Sequence, residues 1–154
     1  MPSAESTTKF VAAAFAALCV LALGWLLVSW IVSEITKDRY SLRSGVVEVV
    51  HAASQCKAAV AAYYAANRRM PANEREAGCA PGSGNATAAK VADGVVVVSA
   101  TGALRERLLD RSSGMDFRYT PSCEGGACRG AAILDWDCRA GTTIGTDYLP
   151  AACR

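Results

Sequence analysis

The residues best suited to chemistry in this 154-residue chain are its seven cysteines. Six of them follow the apolar N-terminal stretch and form an even set: Cys56, Cys79, Cys123, Cys128, Cys138 and Cys153. An even set in a small domain favours disulfide bonds made in an oxidising compartment. Zinc binding is the alternative, but there is no C-x-x-C pair and only one histidine, whereas zinc ligands usually come in closely spaced pairs. We therefore predict disulfides, with no metal and no other cofactor.

The other reactive side chains do not follow a pattern typical of an active site. His51 is the sole histidine and has no partner placed near it in sequence, so we expect it on the surface. Asp135 and Asp137 share one face of a predicted strand, where solvation explains them. No serine or cysteine has a base close to it in sequence. The sequence therefore predicts a protein that is not an enzyme and has no small-molecule substrate.

Arginines offer one further hypothesis, a basic surface that binds DNA. Acidic residues interleave with the arginines, and the net charge of +2 is too small to indicate a nucleic-acid partner by itself. We therefore favour a solvated surface over DNA binding. The residues of this possible basic surface are Arg105, Arg107, Arg111, Arg129 and Arg139.

The N-terminal part of the chain has the composition of a membrane anchor. Phe10 to Val32 contains no charged residue, and as a helix it would cover roughly 30 Å, the thickness of a bilayer core. Cys19 lies inside this stretch and is expected to behave as a small hydrophobic residue. A cleaved signal peptide is the alternative, but the stretch is long for one and no clean A-x-A site follows it. We expect a cytoplasmic segment at 1–9, a transmembrane helix at 10–32 and a globular domain at 33–154.

Two signals conflict over which side of the membrane holds this domain. Lys9 alone precedes the apolar stretch, whereas Lys37, Arg39 and Arg43 follow it, and basic residues favour the cytoplasmic side. The cysteines favour an oxidising compartment instead. Because the charge bias is only a few residues, we predict a single-pass membrane protein with its domain on the oxidising side, outside the cytoplasm.

The segment after the anchor is expected to continue as helix as far as Asn67. No proline interrupts 34–67, and apolar residues recur at steps of three and four, which predicts one apolar stripe packed on a sheet. The residues expected to make this helix–sheet contact are Val46, Val49, Ala53, Val60 and Tyr63, together with Cys56.

Strands are predicted in the second half of the chain. Lys90–Ala92 and Val95–Ala100 flank Asp93-Gly94, a pair that suits a tight hairpin turn. Met115–Thr120 and Ala131–Trp136 are two further candidates, whereas 103–111 fits either a helical turn or a bridging loop. One long helix followed by a series of strands indicates an α+β fold with a small antiparallel sheet.

Two tracts of the chain have a distinctive residue pattern: S-x-x-K-x-A-V-A-x-Y-Y-A-x-N from Ser54 to Asn67, and W-x-C…Y-L-P-A-x-C-R from Trp136 to Arg154. The first resembles the long helix of the type IV pilin family, and the second resembles the C-terminus of that family. The resemblance implies a structural protein of a pilus or related surface system, used in adhesion or assembly, with other pilin or pilus-assembly subunits as partners. It also implies a place in the bacterial inner membrane or in a pilus, with the globular domain in the periplasm.

The resemblance also implies a Cys138–Cys153 bond around a C-terminal loop. For the other four cysteines, the helix position of Cys56 and the Ala77-Gly78 before Cys79 favour a Cys56–Cys79 bond, which leaves a small ring for Cys123 and Cys128 by elimination. Their connectivity stays open at this point, because six cysteines allow fifteen connectivities.

The apolar stretch departs from the family pattern. A type IV prepilin has a Gly-Phe junction for its peptidase and a glutamate in the apolar helix, whereas this chain has Ala13-Ala14 and Leu18 at the matching places. We therefore expect an uncleaved anchor without the methylation motif. A non-polymerising accessory protein or a DNA-uptake or ligand receptor built on the same fold is the alternative function.

Overall fold

The computed structural model describes residues 4–126, 128 and 132–154, and for residues 4–16 it describes the backbone alone. The chain divides into two compact units, Met1–Tyr40 and Ser41–Arg154. Helix α1 spans Ala4–Asn67 and so contributes to both units. Alanine and leucine are frequent along it, and these residues have high helix propensity.

In the N-terminal unit the apolar side chains of α1 that the structure describes, from residue 17 onwards, are exposed. From residue 17 to residue 32 every side chain is exposed, and Trp25 has 73% of its surface accessible. The first polar residues after this stretch turn their hydroxyls back onto the helix: Ser33 donates to the Trp30 carbonyl and Thr36 donates to the Val32 carbonyl, both at 2.8 Å. Within the described residues, this is the helix that is long and apolar enough to cross a membrane.

In the globular unit the same helix buries one stripe of side chains. The buried residues are Leu42, Val46, Val49, Ala53, Cys56, Val60 and Tyr64. Tyr63, which was expected in this stripe, is only half-buried, and the next residue takes the fully buried place. At 3.6 residues per turn, Tyr64 lies five full turns after Val46 and is in phase with it, whereas Tyr63 lies one residue out of phase.

A four-stranded antiparallel sheet provides the other side of the core. Its strands are β1 (Lys90–Ala92), β2 (Val95–Ser99), β3 (Asp116–Cys123) and β4 (Ile133–Asp137), in the spatial order β1-β2-β3-β4. Asp93 and Gly94 both have positive φ, +50° and +80°, which is the backbone that a two-residue hairpin turn requires. The predicted α+β fold with its small antiparallel sheet is confirmed.

Two short helices join these elements. Helix α2 spans Glu74–Ala77, and helix α3 spans Gly102–Arg111 and buries Leu104 and Leu108. Residues 103–111 are therefore helix and not a bridging loop. Gly45 of α1 makes room for α3, because a Cβ there would lie 2.8 Å from a methyl carbon of Leu104. The chain ends in two 3-10 turns, Thr146–Tyr148 and Ala151–Cys153.

Three aromatic residues of β3 and β4 pack against one another through two edge-to-face contacts. Phe117 is fully buried, and its ring meets that of Tyr119 edge to face with 4.9 Å between centroids. Tyr119 in turn meets Trp136 edge to face at 6.4 Å. Such pairs stabilise a core somewhat beyond their buried area. The aromatic contacts thereby connect the buried Phe117 of β3 to Trp136 of β4 through Tyr119.

Candidate functional site

Three disulfides join the elements of the globular unit. Cys56 pairs with Cys79, Cys123 with Cys128, and Cys138 with Cys153, with Cα–Cα distances of 4.7, 5.2 and 5.2 Å. The family resemblance implied the third of these bonds, and the first two are the pairs that position and elimination favoured. The first bond ties α1 to the segment after α2, the second closes a small ring after β3, and the third bounds residues 138–153, named here the C-terminal loop.

The C-terminal loop binds the edge of β3 through two threonine hydroxyls. The Asp116 N–H donates to the Thr143 hydroxyl at 3.0 Å, and the Thr143 N–H returns a bond to the Asp116 carbonyl at 2.9 Å. The Arg118 N–H donates to the Thr142 hydroxyl at 3.0 Å. Since β4 pairs only with residues 120–123 of β3, the loop satisfies the backbone of the first half of the strand.

The same loop is held from the inside and from its other end. Ile144 and Leu149 are buried in the core. The Ser112 hydroxyl accepts the Gly145 N–H, and the Arg43 Nε of α1 donates to the Asp147 carbonyl at 3.1 Å. Residues 139–141 and 146–147 remain exposed. The loop therefore presents a surface whose backbone is fixed on several sides.

A second fixed region joins the end of α1 to α2. Asn73 caps α2 by accepting the Glu76 N–H at 2.9 Å, and the Glu76 carboxylate accepts the Tyr63 hydroxyl, the Ala72 N–H and the Arg69 guanidinium. These donors lower the pKa of Glu76 to about 2, with the tyrosine hydroxyl the largest cause. The same hydrogen bond raises the pKa of Tyr63. The carboxylate acts as an anchor between two helices.

The arginines of the possible basic surface do not form one face. Arg105 and Arg107 lie 200° apart around α3, because a helix advances about 100° per residue. Arg111 follows Arg107 by one turn, and the Arg107 guanidinium donates to the Ser41 hydroxyl at 2.8 Å. Arg139 lies in the C-terminal loop, where its N–H donates to Asp137. Arg129 lies outside the described residues.

The sole histidine lies beside an open groove of about 550 Å³ on the outer face of α1. His51 is exposed, and its Nε2 lies 3.0 Å from the Gln55 side-chain nitrogen. Within the described part of the chain, no group of three or more His, Cys, Asp or Glu side chains is placed to hold a metal ion. The groove is lined by Val47, Glu48, His51, Ala52, Gln55, Ser83 and Gly84.

Several residues that fix these surfaces were not singled out from the sequence. Glu48 accepts two hydrogen bonds from Asn85, 37 residues away. Glu76, Thr142 and Thr143 each accept a hydrogen bond from a backbone N–H group. The only sequence signal among them is Asn73-x-x-Glu76, which has the spacing of a helix N-cap box. The others depend on segments that meet only in the folded domain.

The long helix, small sheet and C-terminal disulfide described above can be compared with known proteins and protein families. No curated protein matches the chain significantly. The sequence profile of the family described as Pilin (bacterial filament) matches residues 42–154, which include the buried stripe of α1, the sheet and all three disulfides. The family resemblance is thereby confirmed, and the chain belongs to the pilin family.

Proposed function

We propose that this chain is a membrane-anchored pilin-like subunit that serves adhesion or assembly in a type IV pilus or a related surface system. The pilin family is a structural family of bacterial filaments, and its profile covers most of the chain. The observation that carries the proposal is that the chain has both this domain and an apolar helix whose described side chains are exposed. Other pilin or pilus-assembly subunits are the partners that fit it.

Exposure of the apolar helix supports membrane insertion. Leu21, Leu23 and Trp25 each expose more than 60% of their surface to water if nothing covers them. Burial of apolar surface stabilises by about 25 cal/mol per Å², so such a helix is unfavourable in water. A bilayer covers it without requiring any partner. The tryptophans at 25 and 30 suit the interface at one end.

The disulfides support a periplasmic position for the globular unit. Cytosolic thiols are kept reduced, so a domain with three disulfides fits an oxidising compartment. Basic residues after the apolar stretch favour the opposite orientation. We give the cysteines more weight, because all six cysteines of the globular unit are paired whereas the charge bias comes from a few residues.

A non-polymerising accessory role in the same system is the second candidate function. Phe10 to Val32 holds no carboxylate, whereas the resemblance implies a helix glutamate that meets the N-terminus of a neighbouring subunit. A carboxylate in a membrane helix is costly and is normally retained for a partner. A helix without one is suited to remain in the bilayer.

Fractionation of the native cells tests the proposal. Surface filaments are sheared off, and the sheared and inner-membrane fractions are blotted for this protein. Protein in the sheared filaments would support the filament subunit, whereas protein confined to the membrane would support the accessory role. Protein in the cytosolic fraction would contradict both.

Arginine substitutions test the anchor separately. Leu21→Arg/Leu23→Arg should move the protein out of the membrane fraction, because each arginine costs about 2.5–3.5 kcal/mol at the centre of a membrane helix. Val47→Arg/Leu109→Arg is a matched control, since these residues of the globular unit are similarly exposed, at 58% and 50%. Loss of both variants from the membrane, or of neither, would contradict a bilayer around residues 10–32.

A further inference from the structure

Strand β4 forms one edge of the sheet, and among the described residues no strand pairs with its outer side. At the opposite edge, β1 is only three residues long and α2 lies against it. β4 carries Leu134, which exposes 66% of its surface, beside the exposed Asp135 and Asp137. An edge of this kind offers backbone hydrogen-bonding groups to another chain, so it is a place where two copies of a protein can join.

The register of β3 and β4 shows which backbone groups of β4 point outward. Pro121 of β3 lies opposite Trp136 of β4. Proline has no N–H, and hydrogen-bonded and non-hydrogen-bonded pairs alternate along an antiparallel ladder, so this pair is a non-hydrogen-bonded one. The N–H and C=O of Trp136 therefore point away from β3. They are the groups through which a further strand would bind.

The Asp135 carboxylate already accepts the outward N–H. Its Oδ1 lies 2.7 Å from the Trp136 nitrogen, which belongs to the next residue in the chain. Asp135 is exposed, so packing in the core does not explain an aspartate here, and aspartate is depleted in strands. A donor that is bound to a charged acceptor gains less from exchanging it for a neutral carbonyl. The side chain thus takes the donor that strand addition would need.

Two copies of β4 would also bring like charges together. Most homo-oligomers are twofold dimers, in which an edge strand pairs antiparallel with the same strand of the second copy. Pairing with Trp136 opposite Trp136 places Asp135 opposite Asp137. A slip of two residues in one direction places Asp135 opposite Asp135, and a slip in the other places Asp137 opposite Asp137. Like charges directly opposite each other destabilise a strand pair.

We propose that Asp135 prevents the outer side of β4 from pairing with the same strand of a second copy of this chain. The carboxylate acts in two ways, because it accepts the outward N–H of Trp136 and repels the acidic residues of a second β4. Without it, the exposed Leu134 and the outward backbone groups would favour association through this edge. The protection is the same whether the chain enters a filament or stays in the membrane.

Sedimentation velocity of the full chain in zwitterionic detergent micelles tests the proposal. Asp135→Val removes both the acceptor and the charge and supplies a residue that favours strands, so this variant should associate at least about 5-fold more tightly than the unchanged chain. Asp110→Val on α3 is the matched control, since it also replaces an exposed carboxylate, and aspartate and valine have similar helix propensity. The control should associate like the unchanged chain.

Hydrogen exchange shows where the copies meet. In Asp135→Val the amide of residue 136 should gain protection as the protein concentration rises, whereas the amides of α3 should not. A charge added at the neighbouring position, in Leu134→Lys/Asp135→Val, should return association to the level of the unchanged chain, because lysine on an edge strand opposes pairing.

A further variant keeps the test open if valine prevents folding. Asp135→Asn loses the charge but keeps an oxygen acceptor, so its association should lie between those of the unchanged chain and Asp135→Val. Unchanged association of Asp135→Val, or of Asp135→Asn where the valine variant does not fold, would overturn the proposal. Tighter association without added protection at residue 136 would overturn it as well, since the copies would then meet elsewhere.

Discussion

Removal of the Cys138–Cys153 disulfide should destabilise the globular unit more than removal of Cys123–Cys128. A disulfide acts mainly by restricting the unfolded chain, and the effect grows with the length of the loop it closes. The first bond spans 15 residues and the second spans 5. The chain-entropy relation gives about 3 kcal/mol for the longer loop and about 2 kcal/mol for the shorter one.

The comparison is fair because three of the four sulfur atoms belong to buried residues and the fourth to a half-buried one. The variants Cys138→Ala/Cys153→Ala and Cys123→Ala/Cys128→Ala thus lose similar packing, and the difference of about 1 kcal/mol reports the loop length. For a unit of this size such a difference corresponds to about 3–6 °C in the unfolding midpoint. Thermal unfolding of the full chain in detergent, followed by near-ultraviolet circular dichroism, measures it.

Hydrogen exchange adds a local test of the same prediction. The amides of Asp116 and Arg118 donate to threonine hydroxyls of the C-terminal loop, so they should exchange faster when the Cys138–Cys153 bond is absent. They should stay protected in the Cys123→Ala/Cys128→Ala variant. Equal or greater destabilisation by that second variant, together with unchanged exchange at these two amides in the first, would refute the reasoning.

Further predictions concern the core, the Glu76 carboxylate and the threonine contacts. Leu108→Ala should cost about 2–5 kcal/mol in urea unfolding, whereas Leu109→Ala, at an exposed neighbour, should stay within about 0.5 kcal/mol. Because the folded pKa of Glu76 is about 2 and its ordinary value is 4.5, its stabilising effect is present above pH 4.5 and is lost as the pH falls toward 2. Glu76→Gln should make the unfolding midpoint less dependent on pH over that range, and an unchanged pH dependence would contradict the assignment. Thr143→Val leaves a β3 amide without an acceptor and should cost about 1–3 kcal/mol, against little change for Thr146→Val, which is exposed.

Local patterns predicted much of the fold from sequence alone. The Asp93-Gly94 pair predicted the hairpin, and the absence of proline from 34–67 predicted that α1 continues as far as Asn67. The predicted stripe ends at Tyr63 and the buried one at Tyr64, because alternating steps of three and four drift from the 3.6-residue period over several turns. The prediction for residues 103–111 left helix and loop as alternatives, because the segment is highly charged. Its two buried leucines, four residues apart, were the signal for it.

The polar contacts of the candidate site could not be predicted in this way. The Thr142 hydroxyl meets a strand residue 24 positions earlier in the chain, and Tyr63 meets Glu76 across a turn. No periodicity relates such residues, since their meeting depends on how the C-terminal loop crosses the sheet. The Cys138–Cys153 pair is the exception, as it came from the family resemblance.

The long helix α1 carries two different burial patterns, and the difference is informative about its surroundings. Over residues 17–32 no side chain is buried, so nothing in the sequence selects one face. From Leu42 to Tyr64 a buried side chain recurs every three or four residues, so one face is fixed against the core. An environment that is apolar on all sides explains the first pattern, and a single packed domain explains the second. On the proposed function, a bilayer or a bundle of such helices in a filament supplies the former. Substitutions on the two parts of α1 should then affect different measurements: membrane or filament association for the first and unfolding for the second.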